Sequence, residues 1–399
     1  MLALVLSAYV VQSVSAQEAR GFKLSEYSSV SPFVEGSVTY DDNVPLNPIG
    51  EEEEDFYIDI VLGLSFLRQT EKSNLSLRGW FQRREYFEFV ELDKDTWQEN
   101  IEYVRGNPDT LQIRLKQRHG DLADYEFTQS DVSEASERRE ATQRLIETRT
   151  RRVKRALDDL EAAVARKTRK LDLQVRVAYS AVDFTDSDYD LYNWAELHLD
   201  PFLGLQLSEK TLVSLSGSVG QQMSDNDLSN LDYWRALLGL QYTPTEKTRL
   251  TLGGGLQEHI VPANHELDNF GFHFDVNGMW AATEKLTLQF FGRNEFQPTS
   301  AFSSNTKRVD QGSIGAVYDV TRRVYCTLGL SGRADNYTAP VGGQQEPLET
   351  LVAPQGKIVV RNKKKNIMIY LKARYEMFES NFQDDYNQLR IVLGANIAI

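Results

Sequence analysis

The stretch DFYIDIVLGLSF, Asp55 to Phe66, decides how the chain is read. Phe56, Ile58, Ile60, Leu62, Leu64 and Phe66 occupy every second position, with Tyr57, Asp59, Gly63 and Ser65 between them. Side chains of a strand alternate across its two faces, so this segment has one wholly apolar face and one polar face. A polar turn, RQTEKSN, follows. The alternation then resumes, with Leu75, Leu77, Gly79 and Phe81 apolar and Ser76, Arg78, Trp80 and Gln82 polar.

The same unit recurs along the chain. Leu111, Ile113 and Leu115 alternate with Gln112, Arg114 and Lys116; Leu171, Leu173, Val175 and Val177 alternate with Asp172, Gln174 and Arg176. Phe270, Phe272, Phe274 and Val276 alternate with Gly271, His273, Asp275 and Asn277; Ile367, Ile369, Leu371 and Ala373 alternate with Met368, Tyr370, Lys372 and Arg374. A Lys or Arg on the lipid face of a barrel costs about 2–4 kcal/mol at the midplane. The charged face is therefore the lumen and the apolar face meets lipid.

The connections alternate too. RQTEKSN, RKTRK, SEKT, TPTEKT, ATEK, DVTRR and NKKK are short and mostly basic, whereas PLNPIGEEEED, QMSDNDLSN, VPANHE and TSAFSSNT are longer. Short turns at one end and long loops at the other are the outer-membrane arrangement. The expected fold is all-β: a transmembrane antiparallel β-barrel of about 18 strands, with short periplasmic turns and longer extracellular loops. The runs are 31–41, 55–67, 74–88, 96–105, 109–119, 150–166, 170–182, 190–207, 211–221, 230–243, 248–259, 267–281, 285–296, 307–320, 323–336, 347–362, 366–380 and 385–398. The segment 133–170 conflicts locally, because its Ala, Glu, Arg and Leu favour a helix. The even strand count expected of a single-chain barrel assigns 120–149 to a long extracellular loop, with a helix around 133–148, and 150–166 to a strand.

Composition bounds the rest. The 399 residues carry a formal net charge of −14, which disfavours nucleic acid as a partner. One cysteine, Cys326, leaves no intrachain disulfide. No stretch approaches the ~18 apolar residues of a spanning helix. MLALVLSAYVVQSVSA has an apolar core and small residues before Ala16, so 1–16 reads as a signal peptide, although no Lys or Arg precedes Arg20. Residues 17–30 then form a periplasmic segment and 31–399 the barrel of a Gram-negative outer membrane, in contact with lipid and lipopolysaccharide.

The segments VSPFVEGSVTYDDNV, EDFYIDIVLGLSF and TRRVKRALDDLEAAVARKTRKLDLQVRVAYSAVDF resemble the β-barrel porin 2-like outer-membrane proteins associated with exopolysaccharide export. The resemblance implies a barrel that passes solutes or polysaccharide and a periplasmic polysaccharide-export partner. Its specific part is Tyr40-Asp41-Asp42-Asn43, where the first strand leaves the membrane. Tyr40 suits the interfacial aromatic girdle, and Asp41, Asp42 and Asn43 turn the chain by bonding their own backbone. A Ca²⁺ site there, helped by EEEED, would need an Asp-x-Asp-x-Asp-Gly spacing that is absent. The chain ends Ala-Asn-Ile-Ala-Ile, where such barrels commonly end on an aromatic residue.

Parity places Arg78, Arg114, Lys116, Arg118, Arg176, Arg235, Arg249, Arg293, Arg323, Arg333, Lys357, Lys372, Arg374 and Arg390 on the lumen face. Asp59, Asp172, Glu196, Asp200, Asp275, Glu295 and Glu376 share it. The expected interior is net basic and suits anions, with salt bridging that merely fills the barrel as the other reading. No metal or cofactor motif is present. Gly253-Gly254-Gly255 precedes no phosphate loop and reads as a bend or close approach. His198, between Glu196 and Asp200 and near Ser214, Ser216 and Ser218, offers the parts of an acyl-transfer triad. A polar lumen wall explains those residues more simply, so the chain reads as non-enzymatic. Two alternatives stay open, an outer-membrane hydrolase built on His198 and a non-conducting scaffold or adhesion barrel. Trp80, Trp97, Trp194, Trp234 and Trp280 read as girdle residues, and inward Trp80 and Tyr370 as possible sugar platforms.

Overall fold

The structure is a computed structural model that describes residues 22–44, 48–107, 109–122, 155–184, 193–224, 230–265, 268–298, 306–337, 348–362, 367–381 and 385–398. The signal segment 1–16, the helix around 133–148 and most of the 120–149 loop lie outside the described residues.

The strands are β1 (Phe22–Ser25), β2 (Ser28–Asp41), β3 (Asp55–Gln69), β4 (Ser73–Tyr86), β5 (Lys94–Asn107), β6 (Leu111–Leu122), β7 (Arg155–Lys167), β8 (Leu171–Phe184), β9 (Trp194–Ser208) and β10 (Thr211–Ser224). They continue as β11 (Leu231–Thr245), β12 (Thr248–Ile260), β13 (Asn269–Ala281), β14 (Leu286–Pro298), β15 (Thr306–Asp319), β16 (Val324–Tyr337), β17 (Leu348–Arg361), β18 (Ile367–Ser380) and β19 (Tyr386–Ala398). From β2 to β19 each strand pairs antiparallel with the next, and β19 pairs with β2, closing a barrel of 18 strands. β1 is a short addition hairpinned onto β2, which begins at Ser28 rather than 31. β7 is a strand from Arg155 despite its helical composition, paired on both sides along its length. The requirement to satisfy its backbone between two neighbours overrides local propensity. β6 runs to Leu122, into the range expected to be loop.

The barrel is inside-out. Leu62, Leu64, Leu173, Leu328, Ile369 and Leu393 are exposed on its outer face, where they form the band that lipid covers. The buried residues are largely polar and concentrate on the inner face. Trp97 and Trp280 are exposed on the outer face as girdle residues, but Trp194 is buried on the inner face and is not a girdle residue. Its position two places from Glu196 and four from His198 sets that parity.

Six short turns share one device. The hydroxyl of Thr70, Thr168, Ser208, Thr245, Thr283 and Thr321 accepts the backbone N–H two residues on, from Lys72, Lys170, Lys210, Lys247, Lys285 and Arg323. The carbonyl of that basic residue then accepts an N–H from a further strand: Gly106, Gln206, Thr243, Ala281, Asp319 and Arg361 respectively. The hydroxyl sets the turn, and the freed carbonyl ties each hairpin to its neighbour. Only main-chain groups of the basic residue take part, and its side chain stays exposed at the turn.

Within β12, added Cβ atoms at Gly253 and Gly255 would come within 2.2 Å of Asp275 Oδ2 and 1.9 Å of the Ala236 carbonyl. The glycine run marks close approach across the inner face. The β13–β14 ladder stops short: the strands pair from Ala281–Thr287 up to Phe274–Asn294 and no further.

Candidate functional site

Two sets of residues carry the sequence-level expectations: the inner face, and the Tyr40–Asn43 stretch. Alternation places Arg78, Arg114, Lys116, Arg118, Arg176, Arg235, Arg249, Arg293, Arg333, Lys357, Lys372, Arg374 and Arg390 opposite the exposed apolar positions of their strands. Arg323 does not belong with them. It lies in the exposed turn before β16, displaced from the strand because Thr321 sets the turn there.

Toward the long-loop end the inner face is a buried ionic ring. Arg84 makes a bidentate pair with Asp59, at 2.7 and 2.9 Å, and lies 4.2 Å from the Tyr57 ring. Arg118 meets Asp159 at 3.0 Å, and Arg176 bridges Asp200 at 2.8 Å and Glu161 at 3.6 Å. Arg235 and Arg293 each stand 3.5 Å from Glu295. Lys307 meets Asp335 at 2.5 Å, Arg333 shares that carboxylate, and Arg374 meets Glu376 at 2.7 Å. A buried charge is tolerated when it is paired, and each of these cations stands beside a carboxylate. Arg155 differs. It is fully buried, and its three guanidinium nitrogens have no hydrogen-bond partner among the described residues.

Toward the short-turn end the inner cations have softer surroundings. Arg114 meets Glu102 at 2.8 Å. Arg78 stands 4.6 Å from the Phe33 ring and 5.4 Å from Trp80. Arg249 donates to Gln241, and Lys357 lies 5.0 Å from the Tyr370 ring, whose hydroxyl donates to Glu35. The inward aromatic rings are thus partners of cations already in the wall.

Sequence reasoning missed several inner carboxylates: Glu35, Asp41, Glu102, Asp159, Glu161 and Asp335. Some were legible, since Asp335 sits two residues from Arg333 on the same parity. Others, such as Glu102, which stands opposite Lys116 and bonds Arg114 diagonally, become partners only through the register of a neighbouring strand.

The parts of the triad do not assemble as one. The two ring nitrogens of His198 face Glu196 at 3.6 Å and Asp200 at 3.5 Å. Ser218 donates to Asp200 at 2.6 Å, so its hydroxyl is held by a carboxylate rather than by the imidazole. Nucleophilic activation needs the serine–histidine bond. Among the described residues no cluster of three or more His, Cys, Asp or Glu side chains is placed to hold a metal ion.

The Tyr40–Asn43 stretch is the barrel's closing seam. Tyr40 faces outward, with its ring 5.0 Å from Phe56 and its hydroxyl donating to Glu54. Asp41 ends β2 facing inward, 1% exposed; it accepts both contacts of the Gln388 amide, at 2.8 and 3.0 Å, and pairs with Arg390 at 3.3 Å. It also accepts the Asn43 N–H, the self-bond expected of a turn. Above the last ladder pair, Asp41–Arg390, side chains continue the seam. Asp42 accepts the Leu389 N–H at 2.6 Å, and Asn43 donates to the Asn387 carbonyl at 3.0 Å. Asp42 lies beyond the strand, and burial pushes its carboxyl above the usual range.

No protein-family model matches the chain, and no curated protein matches it. Solved structures do. OccAB4 of Acinetobacter baumannii is 9% identical, with 94% of this chain and 100% of that chain covered and a TM-score of 0.51. The outer membrane protein OpdK of Pseudomonas aeruginosa is 10% identical, with 93% and 99% covered and a TM-score of 0.51. OpdO of the same organism is 12% identical, with 94% and 98% covered and a TM-score of 0.51. The likeness is one of fold. It covers most of both chains, so the chain shares the closed β-barrel fold of these outer-membrane proteins.

Proposed function

We propose that the barrel is a passive, porin-like conduit for polar solutes across the outer membrane, with a preference for anions. The observation that carries the reading is the closed 18-strand ring with a charged inner face and an apolar outer one. Barrels of this strand number enclose an aqueous channel rather than a packed core. The fold likeness to OpdK and OccAB4 supports it. The anion preference is supported by the short-turn half of the lumen, where Arg78, Arg114, Lys116, Arg249, Lys357 and Lys372 stand against Glu35, Glu102 and Asp172. In the other half, Arg155 apart, the cations stand beside carboxylates, so that half adds less to the preference. Passage of an exopolysaccharide, delivered by a periplasmic partner, rests on the resemblance around Tyr40–Asn43 alone.

The test is current through planar bilayers holding the refolded mature chain, with the reversal potential read across a KCl gradient. A steady conductance with chloride preference is expected, moved toward potassium by the double change Arg114→Glu, Lys116→Glu. Absence of conductance would favour a non-conducting scaffold. A conductance whose selectivity ignores the charge reversal would remove the basis of the anion preference.

A further inference from the structure

The apolar band of the outer wall is broken on β5, β6 and β7. Counted from the short-turn end, the fifth outward position is Ile60 on β3, Tyr179 on β8 and Leu199 on β9, all exposed. On β5, β6 and β7 it is Glu99, His119 and Asp158, which stand side by side across one ladder row. Gln117, one outward position lower on β6, is exposed as well. The imidazole of His119 meets the Asp158 carboxylate, whose side chain is 52% exposed. Above the row, Arg83 meets Glu85 at 3.1 Å and Asp95 at 3.0 Å, again with exposed side chains. Ionisable groups on a lipid face cost free energy, most at the midplane and least near the interface. A row of them where other strands carry Ile, Tyr and Leu is stable when something polar covers it.

The chemistry of the patch says what fits. In and above that row, Arg83 is the one outward Lys or Arg among the described residues, against Glu85, Asp95, Glu99 and Asp158. Trp97 lies among them, 41% exposed, with its ring 4.9 Å from that of His119. Carboxylates beside an open indole suit a guanidinium, which forks onto the one and stacks on the other. A phosphate-bearing lipid head would meet like charge there. The chain carries the complementary group to the same spot. Leu122 of β6 and Arg155 of β7 are ladder partners, so the connection 123–154 leaves and returns at the top of the two strands that hold His119 and Asp158. Within it the stretch RREATQRLIETRTRRVK, 138–154, holds seven Arg or Lys and two Glu. An extended residue spans about 3.3–3.6 Å, so a few residues reach from the rim back down to the row.

We propose that the outer face of β5–β7 is the docking surface of this chain's own basic stretch 138–154. Its arginines pair with Glu99, Asp158 and Asp95 and stack on Trp97. The pairing removes the charged row from lipid and holds the long connection against the outside of the wall. It does not involve the lumen, and its assay needs no current, so its failure is distinguishable from failure of the conduit reading.

The experiment uses the full mature chain carrying Cys326→Ser and Gln117→Cys, refolded into phosphatidylcholine vesicles and labelled on the new thiol with benzophenone maleimide. After irradiation, cross-linked peptides are mapped by mass spectrometry. Cross-links to 138–154 of the same chain are expected. They should fall several-fold with Arg149→Glu, Arg151→Glu and Arg152→Glu together, a change that touches no strand residue. The same label on Leu173→Cys, in the unbroken part of the band, should reach lipid instead. Cross-links from position 117 to lipid alone would overturn the docking. So would cross-links to a second copy, recognised by mixing heavy-isotope and light chains, which would assign the face to an oligomer. Cross-links to 138–154 that persist in the triple variant would overturn the charge pairing.

Discussion

Asp41→Ala should open the barrel where its first and last strands meet. In the folded protein Asp41 is almost wholly buried and holds two inward side chains of β19, the Gln388 amide and the Arg390 guanidinium. Gln388 is fully buried, so truncation leaves an amide donor without its main acceptor, a loss of about 1–3 kcal/mol. Removing one partner of a buried ion pair costs about 3–5 kcal/mol. These figures overlap because one carboxylate serves both groups, so they do not add. Arg390 is also about a quarter exposed and keeps the Gln388 Oε1 acceptor at 2.8 Å, which lowers the ion-pair share. The expected loss is about 3 kcal/mol. Asp41→Asn keeps an acceptor for Gln388 and loses only the charge, so about 1–2 kcal/mol is expected. The assay is equilibrium guanidinium unfolding of the barrel refolded into phosphatidylcholine vesicles, followed by tryptophan fluorescence. A double-mutant cycle with Arg390→Ala isolates the coupling. An Asp41→Ala barrel within about 0.5 kcal/mol of the parent, the range of inert surface changes, would refute the seam argument. So would a cycle with no coupling.

Arg155→Met should raise stability, by about 1–4 kcal/mol as when other buried charges give way to apolar side chains, because no partner among the described residues is lost with the charge; a lower unfolding midpoint would count against this. Asp42→Asn bears on pH. Burial raises the folded pKa of Asp42, so the folded state binds its proton more tightly and protonation favours the fold. The variant should therefore match or exceed the parent at pH 7, and its advantage should shrink as pH falls through the carboxylate range; an advantage that grows on acidification would contradict the sign. Hydrogen exchange measured by mass spectrometry should find amides within 270–273 and 295–297 less protected than those of 276–280, since the ladder joins only the latter to β14. Uniform protection along β13 would remove the break.

The barrel was legible because alternation is a local signal that repeats. The parity that put Phe56, Ile58 and Leu62 outside also put Arg78 and Asp59 inside. Even β7, helical by composition, was recoverable from the need for an even count. What stayed hidden depends on contacts between distant segments. Nothing local to TYDDN says that Gln388 and Arg390 meet it, and nothing in Phe296 says that its ring leaves the lipid face for Gly271 and His259. The turn hydroxyls lie between. Thr70-Glu71-Lys72, Thr245-Glu246-Lys247 and Thr283-Glu284-Lys285 repeat visibly, but the repeat reads as charge until the hydroxyl is seen to accept the N–H of the basic residue.

The bond from Gln388 to Asp41 spans 347 residues of sequence. Every hairpin between those positions contributes its register to where the last strand arrives. A two-residue slip in any ladder preserves inside and outside, so parity cannot detect it. The slip would, however, carry Gln388 and Arg390 past Asp41 by the same two residues. Closure thus tests the summed alignment of the whole wall. A chain misaligned anywhere reaches the end of assembly with a carboxylate, an amide and a guanidinium unable to meet, and so remains open for correction.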